Sequence, residues 1–222
     1  MPARLRRLLL AVPLLLVLLG FVGPATSTAA SAFYAHTYFR SAYERQVDNR
    51  TCVAASTAMM LNILQGRDLN FNQMTILRYA QPRDALNNAV QRGTDPLGWS
   101  LAASYFSQNT RRPTTYQWET FGTETNALRR AAEQIARYGK AVGLLVQRGT
   151  HAVVMTGFKA TANPAKGPSY ELIGIYYSDP LGPRNQYVSV ADSPLTRYTQ
   201  LDATSQYDQA WYNRYIIVAP QN

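Results

Sequence analysis

The hydrophobic period of the chain changes once, near residue 140, and this change limits the folds that the sequence can adopt. Between residues 52 and 138 the apolar positions mostly repeat at helical spacing, as in a run over 53–64 that stops at Gly66. From residue 141 onward, segments rich in Val, Ile and Tyr alternate with Gly, Pro, Asn and Asp, as is typical of strands. Helices followed by strands predict an α+β fold, with an N-terminal helical half packed against a C-terminal antiparallel sheet and a cleft between the halves.

Local signals predict where several of these elements begin and end. Asp95 followed by Pro96 predicts the start of a helix, and Thr123 predicts the cap of another helix that stops at Gly139. Pro194 predicts one further helix start among the strands. The strands themselves are predicted at residues 141–147, 152–158, 170–177, 186–190 and 212–218. The predicted sheet therefore lies wholly in the second half of the sequence.

The first 30 residues have the order of a secretory signal peptide. Three arginines precede an apolar run over residues 8–23, and small residues follow it. The positions that a signal peptidase reads predict cleavage near Ala30 or Ala32. An uncleaved anchor is the alternative, but the run is shorter than the ~20 apolar residues that a spanning helix needs, and Pro13 interrupts it. The sequence thus predicts an exported protein, secreted or associated with the cell envelope.

The mature chain is predicted to consist of an arm over residues 31–45 and one domain over residues 46–222, with no transmembrane span. Removal of the three leader arginines from 22 basic residues leaves 19 against 13 acidic residues. An anionic cell envelope is therefore a candidate partner, and a solvated surface is the other interpretation of the charge. Nucleic-acid binding is not supported because the basic residues are scattered. We expect a monomer.

Cys52 is the only cysteine in the sequence. A single cysteine forms neither a disulfide framework within one chain nor a zinc site of several cysteines. Cys52 follows the polar segment 48–51 and opens the first predicted helix, where unpaired amides and the helix dipole favour a thiolate. A catalytic nucleophile is one interpretation of this residue, and a small buried hydrophobic residue is the other.

A thiolate nucleophile needs a partner that carries protons, and the sequence offers two histidines. His36 lies among aromatic residues of the predicted arm, whereas His151 lies where a turn enters a strand. Asp179 ends the next predicted strand, so antiparallel pairing can bring its carboxylate to the imidazole of His151. Gln46 precedes Cys52 by six residues, and its amide can form an oxyanion hole with the backbone N–H of Cys52. Each of three residues also has a purely structural interpretation. His151 can be an ordinary strand histidine, Asp179 part of an Asp-Pro turn, and Gln46 a loop glutamine.

The chain resembles papain-fold cysteine peptidases in four short motifs. These are Gln46 six residues before Cys52, the helix CVAASTAMMLNIL, the segment GTHAVVMTGF around His151, and Ser-Asp-Pro at Asp179. More narrowly, the chain is similar to the group related to the bacteriocin-processing, double-glycine leader peptidases, which includes exported stand-alone members. The resemblance implies Cys52 as nucleophile, His151 as base and acid, Asp179 as the residue that orients His151, and Gln46 as the oxyanion-hole amide. It implies neither a metal nor an organic cofactor.

The sequence also departs from the family pattern. No aromatic residue follows the nucleophile, unlike in papain itself. The loop over residues 159–169 sets a gap of 28 residues between His151 and Asp179, so Asp192 and Asn163 are alternatives for orienting the ring. The transporter to which leader peptidases are usually fused does not occur in this sequence, so their substrate specificity is not carried over.

The predicted function is hydrolysis of a peptide or related amide bond outside the membrane, through an acyl-enzyme on Cys52 that water resolves with the help of His151. A peptide or protein substrate is then the expected partner. The same residues can pass the acyl group to an amine, as in transglutaminase-like reactions. The alternative from another class is an exported binding or interaction protein that keeps the fold without turnover. The reactivity of Cys52 in the folded protein distinguishes catalysis from binding.

Overall fold

The computed structural model describes residues 32–85, 93–200 and 206–222. The signal peptide that the sequence predicts lies outside these residues, so its cleavage stays a prediction. Within the described ranges, no helix has the length and apolar character required to cross a bilayer.

Helices and antiparallel strands follow one another along the chain in an α+β arrangement, which confirms the predicted fold class. In chain order the elements are β1 (Phe33–His36), α1 (Cys52–Gln65), α2 (Gln73–Ala80), α3 (Pro96–Ser107), β2 (Tyr116–Phe121), α4 (Glu124–Tyr138), β3 (Val142–Val146), β4 (His151–Ala160), β5 (Leu172–Ser178), β6 (Gln186–Ser189), α5 (Gln206–Trp211) and β7 (Tyr215–Pro220).

The predicted capping residues set the boundaries of two helices. The side chain of Asp95 accepts a hydrogen bond of 2.9 Å from the backbone N–H of Gly98 at the start of α3. The side chain of Thr123 accepts one of 3.3 Å from the backbone N–H of Asn126 at the start of α4. Gly139 ends α4 with a φ of 60°, a conformation that costs little for a residue without a Cβ. These three capping predictions are confirmed.

The described strands form one antiparallel sheet in the order β2-β7-β3-β4-β5-β6. β4 is the longest of them and pairs with two strands on the same side. Its first half pairs with β3, from His151 to Met155, and its second half pairs with β1, from Gly157 to Ala160. On its other side β4 pairs with β5. The start of β4 and the end of β5 therefore lie side by side at one edge of the sheet.

Two strands lie where the sequence predicts none. β1 belongs to the segment interpreted as a surface arm, and β2 lies between α3 and α4. β1 joins the sheet because alternate residues face the core, and Phe33 stacks on Phe158 with ring centroids 5.9 Å apart. β2 joins because Trp118 packs against the buried ring of Trp211. Both strands depend on contacts with residues that are far away in the sequence, and a local sequence pattern does not reveal such contacts.

The predicted helix start at Pro194 is wrong. The chain is extended there, and Leu195 forms a β-bridge with Val146 while Arg197 forms one with Tyr215. A proline at a helix start needs an apolar helical repeat behind it, and no such repeat follows Pro194. This segment instead lies between the end of β3 and the start of β7.

The sheet separates two apolar cores. The core between the sheet and α1, α2 and α3 includes Met59, Leu61, Ile76 and Trp99. The core between the sheet and α4 includes Leu128, Ile135, Val153 and Phe158. In α1 every residue from Cys52 to Leu64 is buried, so this helix is enclosed along its length.

The packing of α3 on β3 can be tested by a substitution at Gly143, which lies against Trp99. A Cβ at Gly143 would lie 2.3 Å from Cζ2 of Trp99, and the indole is fully buried. Because the ring has no room to move, we expect Gly143→Ala to lower the free energy of unfolding by about 1–3 kcal/mol, measured by urea denaturation. Gly93→Ala is the control, since its Cβ would lie 3.5 Å from the nearest atom. Equal stability of the two variants would contradict the packing described.

Candidate active site

Cys52 is the first residue of α1, and 8% of its surface is exposed. Thr51 precedes it at the N-cap but makes no capping hydrogen bond to the helix. The Thr51 hydroxyl instead accepts the backbone N–H groups of Val47 and Asp48, at 3.1 and 3.2 Å. The amides of the first turn of α1 are therefore left uncapped by this side chain, at the positive end of the helix dipole.

The loop that leads into α1 is held by an ion pair within the loop and by a residue of α2. Arg50 pairs with Asp48 at 2.9 Å. Gln73 of α2, which is buried, accepts the backbone N–H of Val47 at 3.1 Å and donates to the carbonyl of Arg45 at 2.7 Å. Gln73 is not among the functional residues that the sequence motifs predict. The feature of the sequence that could have identified Gln73 is a glutamine at a core-facing position of a helix, where burial of an unpaired amide would be costly.

A buried hydrogen bond joins α1 to β4 next to the site. The hydroxyl of Ser56 donates to the carbonyl of Ala152 at 3.2 Å, and both residues are fully buried. Ser56 lies one helical turn after Cys52, and Ala152 directly follows His151. The two elements that carry the thiol and the imidazole are thus fixed to each other close to both side chains.

His151 is the first residue of β4, and only 4% of its side chain is exposed. Its Nε2 lies 2.8 Å from Oδ1 of Asp179. Because Nε2 is engaged by the carboxylate, Nδ1 is the ring nitrogen that remains for exchanging a proton with Cys52. Burial lowers the pKa of His151, but hydrogen bonds with Asp179 and Cys52 and the charges of both outweigh burial and raise the pKa to about 9. The site therefore favours the imidazolium at neutral pH.

Asp179 lies in the turn that follows β5. Its Oδ1 accepts the backbone N–H of Leu181 at 2.8 Å. The hydroxyl of Tyr43 lies 3.2 Å from the carbonyl oxygens of both Asp179 and Gly182 and braces the turn. Burial raises the pKa of Asp179, but the hydrogen bonds from His151 and Leu181 outweigh burial and lower the pKa below its ordinary value. The carboxylate thus stays ionised beside the imidazole.

The two other candidates for orienting the ring are engaged elsewhere. Oδ2 of Asp192 accepts the hydroxyl of Ser189 at 2.7 Å. The side-chain oxygen of Asn163 accepts the backbone N–H of Ala165 at 2.9 Å and caps a short turn. The carboxylate at the imidazole is therefore that of Asp179.

Gln46 belongs to the loop that enters α1 and contacts the turn that carries Asp179. Its backbone N–H donates to the carbonyl of Pro180 at 3.1 Å. Its side-chain Nε2 donates to the carbonyl of Asp48 at 2.7 Å, and Oε1 is buried with no hydrogen-bond partner in the described part of the chain. A glutamine amide carries two N–H groups, so one N–H remains beyond the bond to Asp48.

The arrangement brings a thiol, an imidazole and a carboxylate together where the helical half meets the sheet. Such a set can form a thiolate, attack a carbonyl carbon and transfer protons. Among residues 32–85, 93–200 and 206–222, no three His, Cys, Asp or Glu side chains cluster closely enough to hold a metal ion. The chemistry available to these three residues is that of a cysteine nucleophile.

The sequence profile of the Peptidase_C39 like family matches residues 40–214, which is more than half of the chain. This chain belongs to that family. Peptidases of this family have the papain-like cysteine peptidase fold, so the family resemblance and the fold that the motifs predict are confirmed. The matched range contains Gln46, Cys52, His151 and Asp179.

Among solved structures, the chain is similar to UfSP from C. elegans, with a TM-score of 0.53. The two sequences are 12% identical, over 88% of this chain and 35% of that chain. This chain therefore spans about a third of the length of that protein, and at such identity the likeness concerns the fold alone. No curated protein matches the sequence.

The charge of Asp179 is expected to govern the titration of His151. Asp179→Asn keeps an oxygen that accepts the hydrogen bond but removes the negative charge, so we expect the pKa of His151 to fall below about 9. Imidazole resonances followed by NMR against pH measure this change. The imidazole of His36 serves as the internal reference. Partial burial lowers the pKa of His36 despite the hydrogen bond from Asn185, so the two histidines titrate in different pH ranges.

The same pair predicts how stability depends on pH. The pKa of His151 is raised in the folded state, so its stabilising contribution is complete below about 6.5 and is lost as the pH rises through about 9. The stability difference between wild type and Asp179→Asn should therefore be largest near pH 6 and shrink above pH 9. An unchanged titration of His151 in the variant would contradict the pairing.

Proposed function

We propose that this protein is an exported cysteine peptidase that hydrolyses peptide or related amide bonds with Cys52 as its nucleophile. The observation that carries the proposal is a thiol at an uncapped helix N-terminus beside an imidazole whose pKa is raised to about 9. An imidazolium favours the thiolate of its neighbour, and the thiolate is the nucleophilic form of cysteine. Membership of a cysteine peptidase family supports the same reaction.

In the proposed reaction the sulfur of Cys52 forms a bond to the carbonyl carbon, and the carbonyl π electrons move to oxygen. The backbone N–H of Cys52 and the amide of Gln46 stabilise this oxyanion. When the oxyanion collapses, the C–N bond breaks and His151 gives its proton to the leaving amine. His151 then takes a proton from water, whose oxygen attacks the acyl-enzyme and releases the acid and the thiolate. Asp179 holds the ring and stabilises its charged form.

The proposed location is outside the cytoplasmic membrane, in the surroundings of the cell envelope. It is supported by the arginines, apolar run and small residues within positions 1–30. The excess of basic residues favours contact with an anionic envelope. The substrate would then be a peptide or protein of that compartment.

Alkylation of Cys52 tests the proposal, because the protein contains one thiol. We expect iodoacetamide to modify the folded mature protein rapidly at pH 6, and His151→Ala to slow the reaction by roughly tenfold or more. His36→Ala is the matched control and should react like the wild type. A Cys52 that reacts only after unfolding, or at a rate that ignores His151, would favour the binding protein over the enzyme.

The role of Gln46 is tested by comparing two reactions of the same sulfur. Hydrolysis passes through an oxyanion, so Gln46→Ala should lower kcat for peptides selected from a random library by about 100-fold to 1000-fold. Iodoacetamide alkylation forms no oxyanion and should proceed at the wild-type rate. Gln117→Ala, at an exposed position of β2, is the control. Equal loss in both reactions would show that Gln46 positions Cys52 instead of binding the oxyanion.

A further inference from the structure

An open cavity of about 450 Å³ lies where β2 ends and β7 begins. Its polar lining consists of Thr120, Arg197, Gln209, Tyr212, Asn213 and Arg214. The described lining contains two guanidinium groups and no carboxylate. The cavity therefore offers positive charge and hydrogen-bond donors, which is the environment that an anion requires.

Arg197 is held in place at this cavity. Its Nη1 donates to Oδ1 of Asn213 at 2.9 Å, and its guanidinium lies 5.5 Å from the centre of the Tyr215 ring. Since Asn213 uses its oxygen in this bond, its NH₂ group remains as a donor. A guanidinium fixed in this way loses little conformational freedom when it binds a carboxylate.

Arg214 also lines the cavity and packs on Gly122. A Cβ at Gly122 would be 3.4 Å from Nη1 of Arg214, so the guanidinium rests against the backbone there. The ion pairs in the described part of the chain are those of Asp48, Glu119 and Asp179 with other partners. Among the side chains that the structure describes, which exclude those of residues 201–208, neither arginine of the cavity pairs with a carboxylate.

The cavity lies at the same edge of the sheet as the candidate active site. His151 is opposite Val146, Val146 bridges Leu195, and two residues later Arg197 bridges Tyr215. Neighbouring strands are about 4.8 Å apart and successive residues rise about 3.3 Å, so the backbones at Arg197 and Tyr215 lie about 12 and 16 Å from that of His151. An extended peptide covers such a distance with roughly four or five residues.

A third arginine lies between the two sites. Arg148 is exposed in the turn that joins β3 and β4, three residues before His151. Its backbone N–H donates to the hydroxyl of Thr196 at 2.7 Å, which ties the turn to the segment that carries Arg197. The described side chains along the edge from His151 to the cavity thus include three arginines, Arg148, Arg197 and Arg214.

We propose that this cavity binds a carboxylate of the substrate peptide, roughly four or five residues from the bond that Cys52 attacks. The inference rests on the proposed function of Cys52. It identifies the substrate class as peptides with an acidic residue, or a free C-terminus, at that distance from the scissile bond. Two guanidinium groups that flank one carboxylate match its two oxygens and discriminate against a neutral amide of the same shape.

Peptides that alkylate Cys52 test the proposed spacing. The probes are iodoacetyl-oligoglycines that end in glutamic acid amide or glutamine amide. The sulfur of Cys52 displaces iodide and forms a thioether, so the rate at low probe concentration reports binding of the far end. With roughly three or four glycines we expect the Glu probe to react about tenfold faster than the Gln probe, and with one glycine equally fast.

Variants locate this preference at the cavity. Arg197→Gln and Arg214→Gln should each bring the Glu and Gln probes to nearly the same rate, with iodoacetamide reactivity unchanged. Arg137→Gln, at an exposed position in the last turn of α4, is the matched control and should keep the preference. Equal rates of both wild-type probes at every spacing, with normal iodoacetamide reactivity, would overturn the inference. Slow reaction with iodoacetamide itself would count against the proposed function instead.

A binding measurement tests the cavity without chemistry at Cys52. The acetylated triglycine-glutamic acid amide should shift the side-chain NMR resonances of Arg197 and Arg214, and its glutamine counterpart should not. Shifts caused by inorganic sulfate but not by the acidic peptide would overturn the assignment to substrate and indicate a site for free anions. Absence of shifts with both would overturn the site altogether.

Discussion

The contact between α1 and β4 is the constraint on which the candidate active site depends. The hydroxyl of Ser56 bonds to the carbonyl of Ala152 inside the core, one helical turn from Cys52 and one residue from His151. Because α1 is buried along almost its whole length, the helix cannot turn or slide without opening the core. The relative position of thiol and imidazole is thus set by packing that extends well beyond the two side chains.

The electrostatics of the site are a balance between burial and pairing. An imidazole as buried as that of His151 is normally driven to its neutral form, yet its hydrogen bonds with Asp179 and Cys52 reverse that tendency. The carboxylate is held in turn by the backbone N–H of Leu181 and by the turn that Tyr43 braces. The site therefore holds a charged imidazole in an almost closed environment beside the thiol.

Family membership and site geometry support different parts of the conclusion. The profile match over residues 40–214 establishes the family, and the likeness to UfSP concerns the fold. The reaction is argued from the hydrogen bonds and charges around Cys52, and the substrate class from a cavity at the same sheet edge. One residue that lines that cavity, Arg197, lies on the extended segment where a helix was predicted.

The sequence by itself determined what depends on neighbouring residues. Asp95, Thr123 and Gly139 act on backbone groups within one turn, so the helix ends that they set do not require a tertiary contact. Cys52 at a helix start and Asp179 at the end of the strand after His151 also follow from short-range order, since adjacent antiparallel strands bring their ends together.

Only the tertiary structure decided which distant residues meet. Tyr43 braces the turn of Asp179 across 136 positions, and Phe33 finds its partner on β4 more than a hundred residues later. Arg197 and Arg214 share a cavity because the chain fills the space between β3 and β7. Such contacts are selected by the shape and burial of whole layers, and no local pattern of residues encodes them.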